Sequence, residues 1–373
     1  MDKVQKTNIN NMRITEIDVI KGICIILMVV GHSGSPITKW IYLFHMAVFF
    51  VASGFCWNEI HATSILNVGN YIKKKICSLY IPYVMVNAVY IFLNNFFVKI
   101  GIYSNLSELS GGGIQLIDYI GIKETIVELI KTIFFLSGNH VQLAGAFWFI
   151  RCLFVVNILH CIVAFIGKKT KRRNTIWILI FIINCILASL VSEGYFQFLR
   201  GFKTTFAAYI AYMIGILLRK YETNLKKVYS IYGFGVSFIV LLIFSSIATI
   251  SISEGKIVNI VFYVIATVCG WIMLYVVSLK LGNTVKNIIL LINGSALWIM
   301  ALHFLAFKII TFTYISVRGL PVYLVASFPV IQCDSKVLWI AYSIVGVLLP
   351  TMLYFLYNKI KYIRKTNNLL QRN

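Results

Sequence analysis

The feature that most constrains this chain is a series of apolar stretches, each about 20 residues long and almost free of charge. A helix needs about this length to cross the hydrocarbon core of a bilayer. The whole chain of 373 residues is 60% hydrophobic and only 12% charged, which is far more apolar than a soluble domain requires. The apolar runs are continuous and do not alternate with polar residues, which disfavours a β-barrel. We predict an all-α polytopic membrane protein with one membrane-embedded domain over 1–373.

The apolar stretches predict about ten transmembrane helices joined by short basic connections. The predicted spans are 17–37, 39–58, 77–98, 146–166, 174–192, 203–218, 228–250, 257–279, 287–312 and 337–358. An even number of spans puts both termini on one side, and that side receives roughly twice as many lysines and arginines as the other. The positive-inside rule then predicts cytoplasmic termini, a basic cytoplasmic tail at 359–373 and a multi-pass location in the plasma (inner) membrane. No cleavable signal precedes the first span, which should itself act as a signal anchor.

The net charge of +22 does not indicate nucleic acid as a partner. The basic residues lie in short clusters between the apolar stretches, and no aromatic–basic RNA motif or separate basic helix is present in the sequence. The eight cysteines lie mostly in apolar stretches and include no CxxC pair, which is typical of small buried side chains. We therefore expect the lipid bilayer to surround the chain, and we predict no metal site.

Ionisable residues form a stripe along the first span. An ionisable side chain inside a membrane costs free energy, so each one indicates a functional or structural role. Lys21 and His32 are eleven residues apart, which is three helical turns plus about 20°, so they share one face. Asp18 lies about 40° from that face, and His32 lies about 16 Å further out along the axis than Lys21. Two simpler interpretations stay open: Lys21 extends to the inner surface, or Asp18 and Lys21 only neutralise each other.

Three of the six histidines are expected at one depth in the outer half of the membrane. His32 precedes the first outer turn by about as many residues as His45 follows it, and His303 lies at a similar depth in a later outward span. Hydrogen bonds between helices, or a shared metal, would also account for such histidines. No carboxylate or cysteine is spaced to complete a metal site, however. Histidine is the usual general base near neutral pH, so a base in a dry layer above a basic inner surface indicates group transfer.

The long connection at 99–145 is predicted to lie outside, and residues 123–137 within it are predicted to form a helix on or dipping into the membrane. Trp148 and Arg151 follow it at the outer end of the fourth span. Trp148 is either a member of the interfacial aromatic belt or part of an acceptor site. Arg151 could meet an acidic acceptor or a lipid phosphate. Both are candidate substrate-binding residues, together with His45.

Several segments carry a specific pattern. "RITEIDVIKGICIILMVVGH" (13–32) contains a basic residue, ten intervening residues and a histidine, and "FHMAVFFVASGF" (44–55) follows it. "AFWFIRCLF" (146–154) and "SALWIMALH" (295–303) are further along the chain. With these segments the sequence resembles the acyltransferase-3 family of integral membrane O-acyltransferases over nearly its whole length, and is most similar to the fucose 4-O-acetylase-like branch.

The resemblance implies acetyl-CoA, or another acyl-CoA, as donor and a sugar hydroxyl as acceptor. It gives His32 the role of catalytic base and Lys21 that of contacting the donor or supporting His32, while Arg13 and Asp18 shape the inner mouth. His45 and His303 would orient the base, bind the acceptor or polarise the thioester.

One segment departs from the family pattern. The family often has an Arg-x-x-Arg pair just before the third span, and here "KKKICSLYIPY" (73–83) has Lys75 and Ser78 at those places. Lys73, Lys74 and Lys75 are therefore expected to act on the donor as point charges rather than as a bidentate clamp. A plain positive-inside cluster is the alternative.

We predict an acyl-CoA-dependent O-acyltransferase that acetylates a cell-envelope or exported polysaccharide, with His32 as general base. The expected partners are acyl-CoA, a sugar or lipid-linked glycan acceptor, and the bilayer. The alternative is a non-enzymatic transporter or flippase of lipid-linked saccharides, which would also have many spans and a few buried charges. Transporters often contain internal repeats and broken helices, and this sequence has no visible repeat and only five prolines. A structural polymer-assembly protein is a third, weaker alternative.

Overall fold

The computed structural model describes residues 3–111, 113–136, 141–170, 173–192, 194–195, 202–247 and 260–370, with the side chains of all but 3–14, 173, 192 and 365–370. Within these ranges the backbone is almost wholly helical, and β-type pairing is confined to isolated bridges. The helices are α1 (Lys3–His32), α2 (Thr38–Tyr42), α3 (His45–Phe55), α4 (Ile65–Lys75), α5 (Ile81–Phe92), α6 (Asn94–Lys99), α7 (Ile122–Phe135), α8 (Trp148–Lys169), α9 (Arg173–Ser192), α10 (Lys203–Lys220), α11 (Glu222–Leu225), α12 (Ile231–Ile247), α13 (Ile260–Lys280), α14 (Asn283–Gly294), α15 (Ala296–Arg318) and α16 (Leu338–Leu370).

Among the described residues, seven helical segments are long and apolar enough to cross a membrane. They are Thr38–Phe55, Ile65–Phe92, Gln142–Lys169, Asn174–Val191, Ile260–Lys280, Ala296–Arg318 and Leu338–Arg364. This is the architecture of a polytopic helical membrane protein. The other three predicted spans correspond to α1 and α10, which contain charged residues, and to α12, which has 17 residues. The count of ten spans and the cytoplasmic side of the termini stay predictions.

The first two predicted spans differ from the structure in where they turn. α1 ends at His32, five residues before the predicted end of the span. The second span is divided between α2 and α3 at Phe44, whose φ of −140° and ψ of −30° interrupt the helix. His45 therefore begins a new helix, and the turn around residues 33–37 brings it back towards the end of α1.

The third span begins earlier than predicted, because the segment with Lys73, Lys74 and Lys75 is already helical in α4. A single π-type turn, Ile76–Tyr80, joins α4 to α5. Pro82 lies at the start of α5, where a proline removes one backbone donor and crowds the preceding turn. A widened turn accommodates both effects. The three lysines thus lie on a helix that continues into the membrane span.

The ninth predicted span is also divided. α14 ends at Gly294 and α15 begins at Ala296. Ser295 between them donates its hydroxyl to the carbonyl of Ile292 at 3.0 Å and lies 3.0 Å from the hydroxyl of Thr351 on α16. A serine that bonds the preceding turn competes with helix continuation, so the break has a local cause. α14 consequently packs across α1, while α15 packs along α16.

The centre of the molecule is formed by α1 and α3. α1 packs against α3, α13, α14 and α16, and α3 packs against α10 and α13. The crossing of α3 and α10 is especially close because of Gly54 and Gly215. A Cβ at Gly54 would collide with the carbonyl oxygen of Tyr212, and one at Gly215 would collide with that of Val51. Small residues permit such an approach between membrane helices, which is how α3 reaches the middle of the bundle.

The segments between the outer helix ends pack onto one another. Ile114 forms an isolated bridge with Ser327, and the Phe328 amide donates to the carbonyl of Gly113 at 2.8 Å. The helix predicted at 123–137 is present as α7, which packs against α5 and receives a 2.8 Å hydrogen bond from the Tyr80 hydroxyl at Ile133. Residues 137–140 lie outside the described part of the chain. These segments surround the outer end of α15.

Candidate active site

Two of the predicted histidines are in direct contact. His32, the last residue of α1, has its Nδ1 atom 3.1 Å from the Nε2 atom of His303 on α15. Their rings stack with centroids 5.3 Å apart and planes inclined by 15°. His303 is fully buried, whereas His32 is only partly buried. The pair therefore joins a sealed imidazole to one with some exposed surface.

The hydrogen bonds around this pair determine where the protons are. His303 Nδ1 lies 2.9 Å from the carbonyl oxygen of Ile299, which can only accept, so the proton of a neutral His303 is on Nδ1. Its Nε2 atom then has a lone pair and must accept from His32. His32 consequently donates from Nδ1, and its own lone pair is on Nε2. A neutral imidazole in this tautomer is a base that presents Nε2.

His45 approaches the pair through a tyrosine. The Tyr42 ring stacks on the His45 ring with centroids 5.4 Å apart and meets the His32 ring edge-on at 6.2 Å. Tyr42 donates its hydroxyl to the carbonyl of Gly31 at 3.0 Å, which ties α2 to the end of α1. His45 is buried and bonds the Ile41 carbonyl through Nδ1 at 2.8 Å. By the same reasoning its Nε2 atom has the lone pair.

Phe304 packs on the histidine pair, and a buried lysine positions the segment that supports Phe304. Phe304 stacks on His32 with centroids 4.9 Å apart, and Phe328 lies against Phe304 at 4.7 Å. Lys308, only 4% exposed, donates from Nζ to the carbonyls of Val325 and Ser327 at 2.9 and 2.7 Å. The ammonium thus anchors the segment that carries Phe328. Sequence reasoning missed this role of Lys308, although a lysine within an apolar span, five residues after His303, is a signal for one.

The inner end of the α1 stripe contains two ion pairs. Lys21 lies 3.1 Å from the carboxylate of Asp18 on the same helix, with both side chains partly exposed. Glu16, two residues before Asp18, pairs with Lys286 of α14 at 2.8 Å, and their side chains are only 8% and 15% exposed. The second pair was missed from the sequence, although an acid at the start of an apolar span needs a partner. It fixes the middle of α1, where the apolar part of the helix begins, against α14.

The lysines of α4 lie near this inner end. Lys75 is half-buried, sits over the Tyr71 ring at 5.1 Å and lies within Coulombic range of Lys21, whereas Lys73 and Lys74 are exposed. In the connection between α3 and α4, burial and the charges of Lys74 and Lys75 lower the pKa of His61. The end of the molecule predicted to face the cytoplasm is therefore strongly cationic around α4. Arg13, predicted to shape the inner mouth, has a side chain outside the described residues.

The two predicted acceptor residues lie at the start of α8. Trp148 meets Phe149 edge-on at 6.3 Å, and Phe149 in turn packs against Phe49 of α3 at 4.7 Å. Arg151 is partly buried and donates to the carbonyl of Leu136 at 3.2 Å, which ties α8 to the end of α7. Their roles in binding an acceptor stay predictions. Among the described residues, no group of three or more His, Cys, Asp or Glu side chains is placed to hold a metal ion.

Comparison with known families identifies the class of protein. The family model for the acyltransferase-3 family, described as an acyltransferase domain, matches residues 14–355. The match covers all the helices from the charged stripe of α1 to the middle of α16, so the chain belongs to this family, and it is a membrane acyltransferase. No curated protein and no solved structure matches the chain.

Proposed function

We propose that this membrane acyltransferase moves an acetyl or other short acyl group from cytoplasmic acyl-CoA to a hydroxyl of a cell-envelope or exported glycan. In this proposal the protein lies in the plasma (inner) membrane with both termini in the cytoplasm. The acceptor is a sugar or a lipid-linked saccharide, as in the fucose 4-O-acetylase-like branch that the first two spans resemble. His32 is the general base.

The proposal depends on one observation, the chain of hydrogen bonds that runs from His32 to His303 and from His303 to the Ile299 carbonyl. It leaves the lone pair of His32 on Nε2, the atom not engaged by His303, and His32 is the partly exposed member of the pair. A base needs both an available lone pair and access to the proton that it removes. His303 holds His32 in one tautomer. Phe304 stacks on the His32 ring and fixes the plane of that ring.

The proposed reaction is a direct transfer. His32 Nε2 takes the proton of the acceptor hydroxyl, and the resulting oxygen attacks the carbonyl carbon of the thioester. The carbon–sulfur bond then breaks, the acyl ester forms, and the departing thiolate takes the proton from His32 to leave as free coenzyme A. An acyl-enzyme through Ser33 is disfavoured, because the hydroxyl of that serine donates to the Val30 carbonyl at 2.8 Å and is not activated by His32.

The inner end of the site supplies the charge that a phosphorylated donor needs. Lys21 and Lys75 are within Coulombic range of each other, and Lys73 and Lys74 are exposed beside them. Lysines at such a surface attract phosphate as point charges. Lys21 lies about 16 Å along the α1 axis from His32, so a donor bound at these lysines must extend a long flexible arm towards the base. Coenzyme A has such an arm between its phosphates and its thioester.

Two measurements test the proposal against transport. Mass spectrometry compares envelope glycans from cells with and without this chain, and we expect acetyl esters on a sugar only when it is present. In membranes that contain the protein, acetyl-CoA should release free coenzyme A only when a glycan acceptor is added. Movement of a lipid-linked saccharide across vesicles without any acyl transfer would instead support a transporter.

A further inference from the structure

A second buried histidine lies away from the candidate active site. His160 of α8 is fully buried, and its Nδ1 atom lies 3.2 Å from the Tyr209 hydroxyl of α10. Its ring meets Trp57 at 4.8 Å and Trp177 at 5.4 Å between centroids. Trp57 lies just after α3, and Trp177 lies on α9. The histidine is thus enclosed by aromatic rings from three other elements, at the end of α3 opposite to His45.

Two polar atoms of this cluster have no hydrogen-bond partner among the described residues. They are His160 Nε2 and Trp57 Nε1, although His160 is 0% exposed and Trp57 only 6%. A buried polar group without a partner is costly, and a bound water or ligand group would satisfy it. Trp57 and Trp177 both line a cavity of about 340 Å³ beside this cluster, which is therefore the place where such a group can enter.

The rim of this cavity is basic. Arg219 and Lys220, at the end of α10, line it together with one acid, Glu59. Arg219 is held in place because one guanidinium nitrogen donates to the carbonyls of Phe55 and Trp57 at 2.9 and 3.2 Å. The remaining N–H groups of a guanidinium in this position can bind phosphate oxygens. Two indoles, one of which has an N–H without a partner, and a cationic rim together fit a flat heteroaromatic base that carries phosphates.

We propose that the cavity between the ends of α3, α9 and α10 binds the adenine-nucleotide end of the acyl-CoA donor, an inference that rests on the proposed function. The base packs against Trp57 and Trp177 and accepts a hydrogen bond from the Trp57 indole N–H, and one phosphate group binds Arg219 and Lys220. The remaining phosphates extend towards the lysines of α4, whose Tyr71 ring lies 5.3 Å from that of Trp57. A volume of about 340 Å³ is at the small end of ligand sites and suits a nucleoside rather than a whole coenzyme. Gly54, at the cavity, and His45 are nine residues apart on α3, about 13.5 Å along the helix axis. The flexible arm of the donor would follow α3 over this distance.

An anionic phospholipid is the competing occupant. A second cavity of about 330 Å³ shares Trp177 and Lys220 with the first and is lined mainly by apolar residues of α9 and α10, including Phe181 and Met213. A lipid could place its chains there and its phosphate at Lys220. The nucleotide is favoured because its base can accept from the indole N–H of Trp57, whereas a lipid tail leaves that donor without a partner.

The test compares two donors with the full-length protein in nanodiscs: acetyl-CoA, and acetyl-pantetheine, which has the thioester but no nucleotide. For Trp177→Leu we expect the ratio of kcat/KM for acetyl-CoA to that for acetyl-pantetheine to fall about tenfold, the usual size of a lost base–aromatic contact. Trp177→Phe should keep most of the ratio. The matched control is Lys227→Gln, an exposed lysine of the same basic connection that does not line the cavity, and it should leave the ratio unchanged. An unchanged ratio in Trp177→Leu, or an equal loss with both donors, would overturn the proposal.

A binding measurement separates this proposal from the proposed function. Adenosine 3′,5′-bisphosphate should quench the tryptophan fluorescence of the wild type and do so more weakly with Lys220→Gln, whether or not any acyl group is transferred. If the protein transfers no acyl group but still binds the bisphosphate, the cavity is a nucleotide site and only the proposed function is wrong. If phosphatidylglycerol quenches the fluorescence and the bisphosphate does not, the cavity is a lipid site and the assignment is overturned.

Discussion

The Nδ1 atom of His32 lies 3.1 Å from the Nε2 atom of His303, across 271 positions of the chain. This contact joins the last residue of α1 to the middle third of α15 and makes one functional unit from two distant segments. Because His303 is itself bonded to the Ile299 carbonyl at 2.9 Å, it cannot donate to His32 in its neutral form. The contact therefore fixes the direction of the hydrogen bond and leaves Nε2 of His32 as the basic atom.

Replacing His303 tests its role as a positioning residue. In His303→Ala the His32 ring loses the acceptor for its Nδ1 proton, and we expect kcat to fall about 10- to 100-fold, less than the 10²–10⁴-fold contribution of a general base. KM for acyl-CoA should be unchanged, because His303 does not contact the donor. His303→Gln, whose amide oxygen can accept the same hydrogen bond, should recover part of kcat. Equal values for the Ala and Gln variants would contradict this role.

The crossing of α3 and α10 should be intolerant of added volume. In Gly54→Ala or Gly215→Ala, the new Cβ meets backbone of the opposite helix, so the helices must separate. We expect a loss of about 2–3 kcal/mol in stability, the upper part of the range for overpacking, measured as a lower unfolding midpoint in detergent.

Gly69→Ala is the matched control for the crossing. Gly69 lies within α4, and a Cβ there meets nothing within 4 Å. Alanine favours a helix over glycine by about 1 kcal/mol, so this variant should be neutral or slightly more stable. A similar loss in all three variants would show that the close approach of α3 and α10 is not the cause.

The Glu16–Lys286 pair should contribute strongly to the position of α1. Lys286→Met leaves the carboxylate of Glu16 largely buried without its partner, and breaking a buried pair costs about 3–5 kcal/mol. The double variant Glu16→Gln/Lys286→Met should recover part of that loss. As a control, Lys131→Met removes the more exposed Lys131–Glu128 pair of α7 and should cost less than about 1 kcal/mol. Unfolding midpoints of the four proteins measure these effects, and an equal loss in the single and double variants would contradict the pairing.

Lys308 should hold the outer segment over the histidine pair. In Lys308→Met the carbonyls of Val325 and Ser327 lose their buried donor, which costs about 1–3 kcal/mol for each group left unsatisfied. We expect faster amide hydrogen exchange in residues 322–331 and a lower turnover, because Phe328 no longer supports Phe304. Lys336→Met, an exposed lysine near the start of α16, should change neither quantity. Unaltered exchange in Lys308→Met would contradict the anchoring role.

Much of this arrangement could be predicted from local properties of the sequence. Apolar length indicates helices that cross a membrane, and the residue counts along the first and ninth spans place His32 and His303 at a similar depth. Helical spacing likewise brings Asp18 beside Lys21, and the structure has them 3.1 Å apart. Each of these results depends only on rise and rotation per residue, which the sequence determines directly.

Features that depend on contacts between distant segments could not be predicted in this way. The turn at Ser295 has a local cause, but its contact with Thr351 is to a different helix. The break at Phe44 divides a segment whose apolar sequence reads as one continuous span. The partners of Lys308 lie in a loop, and the rings around His160 come from three other segments. Depth alone does not indicate which helices are neighbours.

The rate of acceptor-dependent coenzyme A release by His32→Ala tests the central claim most directly. The protein is reconstituted in nanodiscs with saturating acetyl-CoA and a glycan acceptor, and Lys227→Gln, an exposed residue outside the spans, serves as the control. We predict a fall of about 10²–10⁴-fold for His32→Ala, the usual contribution of a general base, with the control within about twofold of the wild type. A His32→Ala protein that transfers acyl groups at nearly the wild-type rate would contradict the assignment of His32 as the base.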